Sequence, residues 1–274
     1  MKQPQAAERA LQQAMMALQA GQAEQAEWLA AEAVKADPAN ARAQHLLGHA
    51  RLLRGRAEEA IEPLAQAVRR SHDPAAETQL AMALRQAGRE DEALERLHRA
   101  VKRKPPFPPA FLELGNLLAA LERADEAIDV LQRALAIAPR MGELSIQLGF
   151  LSAARNDGAE ARAWLTRGLA DAPRDTDALF LLARLTQSAC DFAGAAAVYR
   201  RLLALNPNDA AARLGLGACL LELGEDDAGL AQAGTAAKAG AKMFGETLVA
   251  LAACGRGRFW LKPSEAARVL KAKV

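Results

Sequence analysis

The feature that most constrains the fold is a period of 34 residues. Five of the twelve prolines follow it, and the last four of these five are each 34 residues apart. They are Pro38, Pro105, Pro139, Pro173 and Pro207. Because proline lacks the backbone N–H that continues a helix, one proline per period predicts a helix that ends at the same place in each repeat.

Seven repeats can be aligned on this period, and two of their columns hold small residues throughout. The repeats are residues 7–40, 41–73, 74–107, 108–141, 142–175, 176–209 and 210–243. The first small column is Ala14, Gly48, Ala81, Gly115, Gly149, Ala183 and Gly217. The second is Ala26, Ala60, Ala93, Ala127, Ala161, Ala195 and Gly229. Small side chains let two helices approach closely, so each repeat is predicted to be a helix–turn–helix pair.

The turn inside each pair is predicted at a residue that tolerates left-handed backbone. Such residues recur at Gly21, Gly55, Gly88, Asn156 and Gly224. Apolar residues make up 51% of the chain but aromatic residues only 4%, because alanine and leucine dominate. Alanine has the highest helix propensity, so we predict an all-α fold without strands.

Pro63 disagrees with this scheme, because it falls inside the predicted second helix of the second repeat. It removes a hydrogen-bond donor and is expected to kink or shift that helix unless it lies in the first turn. We favour the first-turn interpretation.

The pattern resembles the tetratricopeptide repeat family over residues 7–243. The fourth repeat shows the family's leucine–glycine pair, the small and large residues of the second helix, and the proline: Leu114, Gly115, Ala127, Leu131 and Pro139. The place that the family fills with tryptophan holds Ala10, Gln44, Glu77, Phe111, Ser145, Leu179 and Arg213 instead. The resemblance implies a right-handed α–α superhelix of about seven repeats over residues 1–243.

The resemblance also implies where a partner binds, since the first helix of each repeat lines the concave face in this family. At helical spacing this face is predicted to present His45, His49, Thr78, Met82, Arg85, Leu112, Asn116, Ile146, Phe150, Phe180 and Arg184. Such a groove suits a peptide or an amphipathic helix. For Ile146 and Phe180, burial between neighbouring helices is the alternative. The lysine–asparagine pair with which some members grip a C-terminal carboxylate is missing, so we predict no carboxylate clamp.

Residues 244–274 are predicted to differ from the repeats. A helix over residues 244–254 is expected to cover the end of the stack, and a short tail follows. Residues 255–274 carry a net charge of +5, whereas the whole chain carries +2. In the tail, Arg258, Phe259, Trp260 and Lys262 form a second candidate binding element, or they fill the last groove of the stack as a cap.

Catalytic and metal-binding motifs are not apparent in the sequence. It holds no phosphate-binding glycine loop, HExxH or GxSxG, so we expect no enzyme activity and no cofactor. His45 and His49 share a helix face at a spacing that suits a metal, but no third ligand is evident, and no metal is expected. The basic run from His98 to Lys104 lies near a predicted helix end, where cations favour the helix dipole, so nucleic acid is not an expected partner.

The scattered cysteines, Cys190, Cys219 and Cys254, indicate reduced thiols. No secretory signal or membrane span is evident, which favours the cytoplasm, and the composition is typical of bacteria. We therefore predict a cytoplasmic protein-interaction scaffold with one or more protein partners. The alternative is an accessory subunit that recruits an enzyme or an anionic membrane surface through its tail. Self-association through an exposed end stays open, and the sequence does not identify the partner or the pathway.

Overall fold

A computed structural model describes residues 3–253 of the chain. It contains fifteen helices and no strand between residues 3 and 253, so the all-α prediction is confirmed. The chain divides into two compact bodies: an N-terminal body that ends at Pro139 and a C-terminal body that begins at Arg140. The repeat pattern, which runs across residue 140 without interruption, does not predict this division. The tail residues Arg258, Phe259, Trp260 and Lys262 lie outside the described residues.

The N-terminal body holds four helix pairs, in which each odd-numbered helix is the first of its repeat. The helices are α1 (Gln3–Gln19), α2 (Ala23–Ala36), α3 (Ala41–Leu53), α4 (Ala57–Ser71), α5 (Pro74–Gln86), α6 (Glu90–Ala100), α7 (Pro108–Ala120) and α8 (Ala124–Ile137). From α1 to α8, every helix contacts the next one along the chain.

The C-terminal body holds three pairs and one further helix. The helices are α9 (Gly142–Ala154), α10 (Gly158–Asp171), α11 (Thr176–Ser188), α12 (Phe192–Leu205), α13 (Ala210–Leu223), α14 (Asp226–Ala237) and α15 (Ala241–Ala253). The helix predicted after the last repeat is present as α15, and it begins at Ala241 rather than at residue 244. Its Phe244 and Leu248 pack against Leu221 and Ala233 of the last pair.

The turn inside every pair contains one residue with left-handed backbone. The seven residues are Gly21, Gly55, Gly88, Glu122, Asn156, Cys190 and Gly224. The five positions predicted from the sequence are confirmed. Glu122 and Cys190, with φ of 60° and 61°, were not predicted, because their side chains do not favour this conformation.

The small column of the first helices packs against a large residue of the second helix in the same pair. A Cβ added at Gly115 would lie 2.7 Å from Cγ of Leu131, and one at Gly149 would lie 2.7 Å from Cγ of Leu165. Both leucines are fully buried, and burial of such a side chain contributes about 1.5–3 kcal/mol. The close approach that the small columns predict is therefore the basis of the core.

The column that the family fills with tryptophan connects the core to the loops. Gln44 donates a hydrogen bond to the carbonyl of Pro38 at 3.2 Å, and Arg213 donates one to the carbonyl of Pro207 at 2.6 Å. Glu77, which is 2% exposed, instead accepts a hydrogen bond from Nε of Arg103 at 2.7 Å. Polar side chains thus hold the proline-containing loops where an indole would otherwise pack.

The first-turn interpretation of Pro63 is wrong. Pro63 is the seventh residue of α4, and the helix continues through it to Ser71. The proline leaves the carbonyl of Glu59 without its usual helical donor. Nη1 of Arg51 donates a hydrogen bond to this carbonyl at 2.9 Å, which offsets the lost one.

Arg51 also belongs to a buried ion cluster in the N-terminal body. The carboxylate of Glu27 accepts hydrogen bonds from Arg51 at 3.2 Å, from Arg54 at 2.6 Å and from Arg56 at 2.7 Å. Burial alone would raise the pKa of the Glu27 carboxyl, but hydrogen bonds from Arg54 and Arg51 and the charge of Arg56 lower it below its usual value. The cluster ties α2 to α3 and to the α3–α4 turn.

Candidate functional site

The first helices of each body form one surface, which we call its first-helix face. In the N-terminal body, α1, α3, α5 and α7 contact one another in series. In the C-terminal body, α11, α13 and α15 do the same, and Phe150 of α9 packs against the core beneath α11. The residues predicted to bind a partner are distributed over these two faces, and each face is described separately below.

Most of the predicted binding residues reach the surface. Those that are partly or fully exposed are His45, His49, Met82, Arg85, Leu112, Asn116, Phe150, Phe180 and Arg184. The prediction is wrong for Thr78 and Ile146, because these residues are buried, with only 4% and 2% of their surface exposed. The hydroxyl of Thr78 donates a hydrogen bond to the carbonyl of Pro74. Ile146 lies in the core, so neither side chain is available to a partner.

On the N-terminal face, the imidazole of His45 has protein partners on both sides. Its Nε2 lies 2.9 Å from Oε1 of Gln79, and its Nδ1 lies 3.8 Å from Oδ2 of Asp73. Burial lowers the pKa of His45, and the opposing effects of Asp73 and Gln79 only partly cancel this. Burial and the neighbouring His45 also lower the pKa of His49. Both imidazoles are therefore neutral at neutral pH and act as hydrogen-bonding groups.

Further along the same face, α5 and α7 are joined by an ion pair. Nη2 of Arg85 lies 3.5 Å from Oε2 of Glu113, and the side chains are 30% and 17% exposed. Burial raises the pKa of the Glu113 carboxyl, which Arg85 only partly opposes. A ligand that offered its own charge here would have to compete with this pair.

The C-terminal face is more apolar. Phe150 and Phe180 are partly buried against the core, and the Phe180 ring meets Tyr199 edge to face with centroids 6.3 Å apart. Burial raises the pKa of the Tyr199 phenol far above its usual value, so its hydroxyl stays protonated. This hydroxyl donates a hydrogen bond to Oε1 of Gln187 at 3.1 Å, which orients the amide at the surface.

Next to these residues lies a cavity of about 470 Å³. Its walls are Arg184, Gln187, Ser188, Phe192, Ala218, Glu222 and Ala250. Arg184 is exposed, and a guanidinium beside an aromatic wall can stack on a ring or pair with a carboxylate. The predicted Arg184 is thus placed at the edge of a pocket on the first-helix face of the C-terminal body.

Two polar residues of these faces, Gln79 and Glu113, were not among the predicted binding residues. Gln79 directly follows Thr78, and Glu113 directly follows Leu112. They occupy the same place in successive repeats, one residue after the predicted Thr78 and Leu112, and the prediction did not include this neighbouring column.

Two searches of the described residues 3–253 gave no further site. They contain no group of three or more His, Cys, Asp and Glu side chains arranged to hold a metal ion. None of the described helices combines the length and the apolarity that crossing a lipid bilayer requires.

Comparison with known proteins gives consistent matches. Two family models, each described as tetratricopeptide repeat, match residues 11–76 and 78–141 and residues 118–185 and 188–242. No curated protein matches the chain.

Solved structures with the same fold are similar at low identity. PilF of Pseudomonas aeruginosa is 20% identical with a TM-score of 0.64, over 78% of this chain and 97% of that one. A tetratricopeptide repeat protein of Parabacteroides merdae is 17% identical with a TM-score of 0.59, over 97% and 99%. A thermophilic tetratricopeptide repeat protein of Thermus thermophilus is 25% identical with a TM-score of 0.57, over 68% and 100%. The family models, the helix pairs and the small-residue columns together show that this chain belongs to the tetratricopeptide repeat family.

Proposed function

We propose that the chain is a non-catalytic scaffold that binds a peptide or an amphipathic helix of a protein partner on its first-helix faces. The observation that carries this proposal is the C-terminal face, where Phe150 and Phe180 are only partly covered and Arg184, one turn after Phe180, lines a cavity together with Phe192. Aromatic and arginine side chains around a pocket are the residues that contribute most to protein interfaces. Proteins of this family generally mediate protein–protein interaction, which supports the same assignment.

The proposal extends to the organisation of the chain and to its location. Residues 1–243 would form the repeat array, with 244–274 as capping helix and tail. Cys190 and Cys219 are not in a disulfide bond, which agrees with a reducing compartment such as the cytoplasm.

The experiment is affinity capture from the native cell with the full chain as bait, followed by mass spectrometry. A variant with Phe150→Ala and Phe180→Ala is expected to lose the partner. Because both rings also pack on the core, Arg184→Glu is the matched variant that leaves the core intact. Retention of the partner by both variants would contradict the proposal.

A second candidate rests on the +5 charge of residues 255–274 and their adjacent Phe259 and Trp260. In this case the tail recruits an enzyme or an anionic membrane surface. Deletion of residues 255–274 would then remove the partner and leave the helical circular dichroism unchanged. If only the tail deletion, and no face variant, removes the partner, the second candidate replaces the first.

A further inference from the structure

A second pocket, away from the first-helix face, lies between two loops of the N-terminal body. The α4–α5 turn and the α6–α7 loop meet there and enclose about 430 Å³. The walls are His72, Pro74, Arg103, Lys104, Pro105, Pro106 and Phe107. Three of these residues are prolines, whose fixed φ angles keep the walls rigid before any ligand binds.

Arg103 fixes the two loops to each other. Its Nε donates a hydrogen bond to Glu77 at 2.7 Å, and its Nη1 donates one to the carbonyl of His72 at 2.9 Å. Glu77 is 2% exposed, so its carboxylate is not accessible to a ligand, and its negative charge offsets the positive charge of Arg103. The buried pair therefore shapes the pocket and adds no net charge to it.

Positive charge at the pocket outside that pair comes from Lys104 of the wall. Lys102 and Arg70 lie within two residues of wall residues along the chain, and all three are exposed and have no ion-pair partner among the described residues. The wall contains no carboxylate. The nearby Asp73 accepts a hydrogen bond from the backbone N–H of Ala75 and faces His45, so it does not neutralise the lysines.

We propose that this pocket binds an acidic segment of a protein partner. Aspartate or glutamate side chains would pair with Lys104 and Lys102, while an apolar side chain would pack on Pro105, Pro106 and the partly buried Phe107. Acidic-segment recognition by clustered cations is a known mode of peptide binding. Single-stranded nucleic acid binds by stacking successive bases on aromatic rings, and this wall offers one phenyl ring, Phe107, besides the imidazole of His72.

The test is fluorescence anisotropy with the full chain and three labelled probes. They are a peptide of three glutamates, one leucine and three glutamates, the same peptide with lysines, and an oligouridylate. The glutamate peptide is expected to bind, more weakly at high salt, and the lysine peptide is not. The double variant Lys102→Glu and Lys104→Glu is expected to weaken binding on the order of tenfold.

Lys35→Glu is the matched control, because Lys35 is an exposed lysine of the same body outside the pocket. Each single variant at Lys102 and Lys104 provides a second check, with folding verified by circular dichroism. An equal loss for Lys35→Glu, equal binding of the lysine peptide, or no change in the double variant would overturn the proposal. Tighter binding of oligouridylate than of the glutamate peptide would also overturn it, in favour of nucleic acid.

Discussion

The two bodies build the same helix pair with different polar chemistry, and the turn inside the pair shows this most clearly. In the N-terminal body, three second helices follow an arginine that pairs with the glutamate three residues later: Arg56, Arg89 and Arg123. In the C-terminal body, two second helices follow Asp157 and Asp191, whose carboxylates accept backbone N–H groups. A left-handed residue precedes all five, so one turn geometry accepts opposite charges.

The buried polar side chains differ in the same way. Among the described residues, those of the N-terminal body are Glu27, Gln44, Glu77 and Thr78, and those of the C-terminal body are Ser145, Ser152, Thr186 and Thr247. Carboxylates require distant arginines as partners, whereas Ser152 and Thr186 donate to a carbonyl one turn earlier in their own helix. The buried carboxylates of the N-terminal body therefore depend on long-range ion pairs, whereas Ser152 and Thr186, like Thr78 of the N-terminal body, find a hydrogen-bond acceptor in their own helix.

The same contrast appears on the binding faces. On the N-terminal face, His45 and Arg85 already have protein partners, so a ligand must replace these contacts. On the C-terminal face, Phe150 and Phe180 are only partly covered, so a ligand gains hydrophobic energy by completing their burial. A ligand of the C-terminal face is therefore expected to gain more from apolar contacts than a ligand of the N-terminal face.

Removal of one partner of a buried ion pair is expected to lower the free energy of unfolding more than any other change considered. Arg103→Ala leaves the Glu77 carboxylate buried without a counter-charge and is expected to cost about 3–5 kcal/mol. Ser152→Ala in the C-terminal body removes local hydrogen bonds and is expected to cost about 1 kcal/mol. Urea unfolding followed by far-UV circular dichroism measures both. The double variant Glu77→Leu and Arg103→Leu should recover most of the loss, and equal losses for the two single variants would contradict the contrast.

A smaller loss of stability is expected in the small column of the first helices, which packs in the same way in both bodies. Gly115→Ala and Gly149→Ala each place a Cβ 2.7 Å from a buried leucine. Overpacking costs about 1–3 kcal/mol, which exceeds the gain of about 1 kcal/mol in helix propensity. Thermal unfolding should show similar losses for both variants. Gly234→Ala is the control, because a Cβ there has no neighbour within 4 Å, and a loss as large as the others would argue against the close-packing explanation.

The smallest losses of stability are expected from variants of the residue that precedes the second helix, and these losses distinguish the aspartate turns from the arginine turns. Asp191→Ala removes a side-chain cap and is expected to cost about 1 kcal/mol. Arg89→Ala removes an ion pair that water screens, so it is expected to cost less than Asp191→Ala. Added salt should reduce the second loss and leave most of the first. A larger cost for Arg89→Ala would reverse the interpretation of the two turns.

The repeat columns predicted the helix pairs well, because Gly115, Gly149 and their equivalents report a close contact inside a single repeat. The five turn residues were predicted for the same local reason. Glu122 and Cys190 were missed, because the turn imposes left-handed backbone on them through the surrounding pair and not through their own preference.

Contacts between repeats were harder to predict. The three arginines around Glu27 come from the next repeat and its turn, and the 34-residue period does not predict these ion pairs. Inside a repeat, the donor that offsets Pro63 was also not predicted, because Arg51 reaches it from the preceding helix with a long side chain. In the candidate site, Thr78 was predicted to reach the surface because it occupies the same repeat position as His45, but it is buried and its hydroxyl donates a hydrogen bond to the carbonyl of Pro74 in its own helix.

We propose that a partner binds the first-helix face of the C-terminal body, and the dissociation constant of the captured partner, measured with variants of this face, provides the test. Arg184→Glu is expected to weaken binding by about tenfold or more, since arginines at pocket edges are frequent hot spots. Trp28→Ala is the comparison, because Trp28 is 65% exposed but lies on a second helix. We expect the dissociation constant to rise strongly for Arg184→Glu and to change by about twofold or less for Trp28→Ala. Unchanged binding by Arg184→Glu together with loss of binding by Trp28→Ala would contradict the proposal.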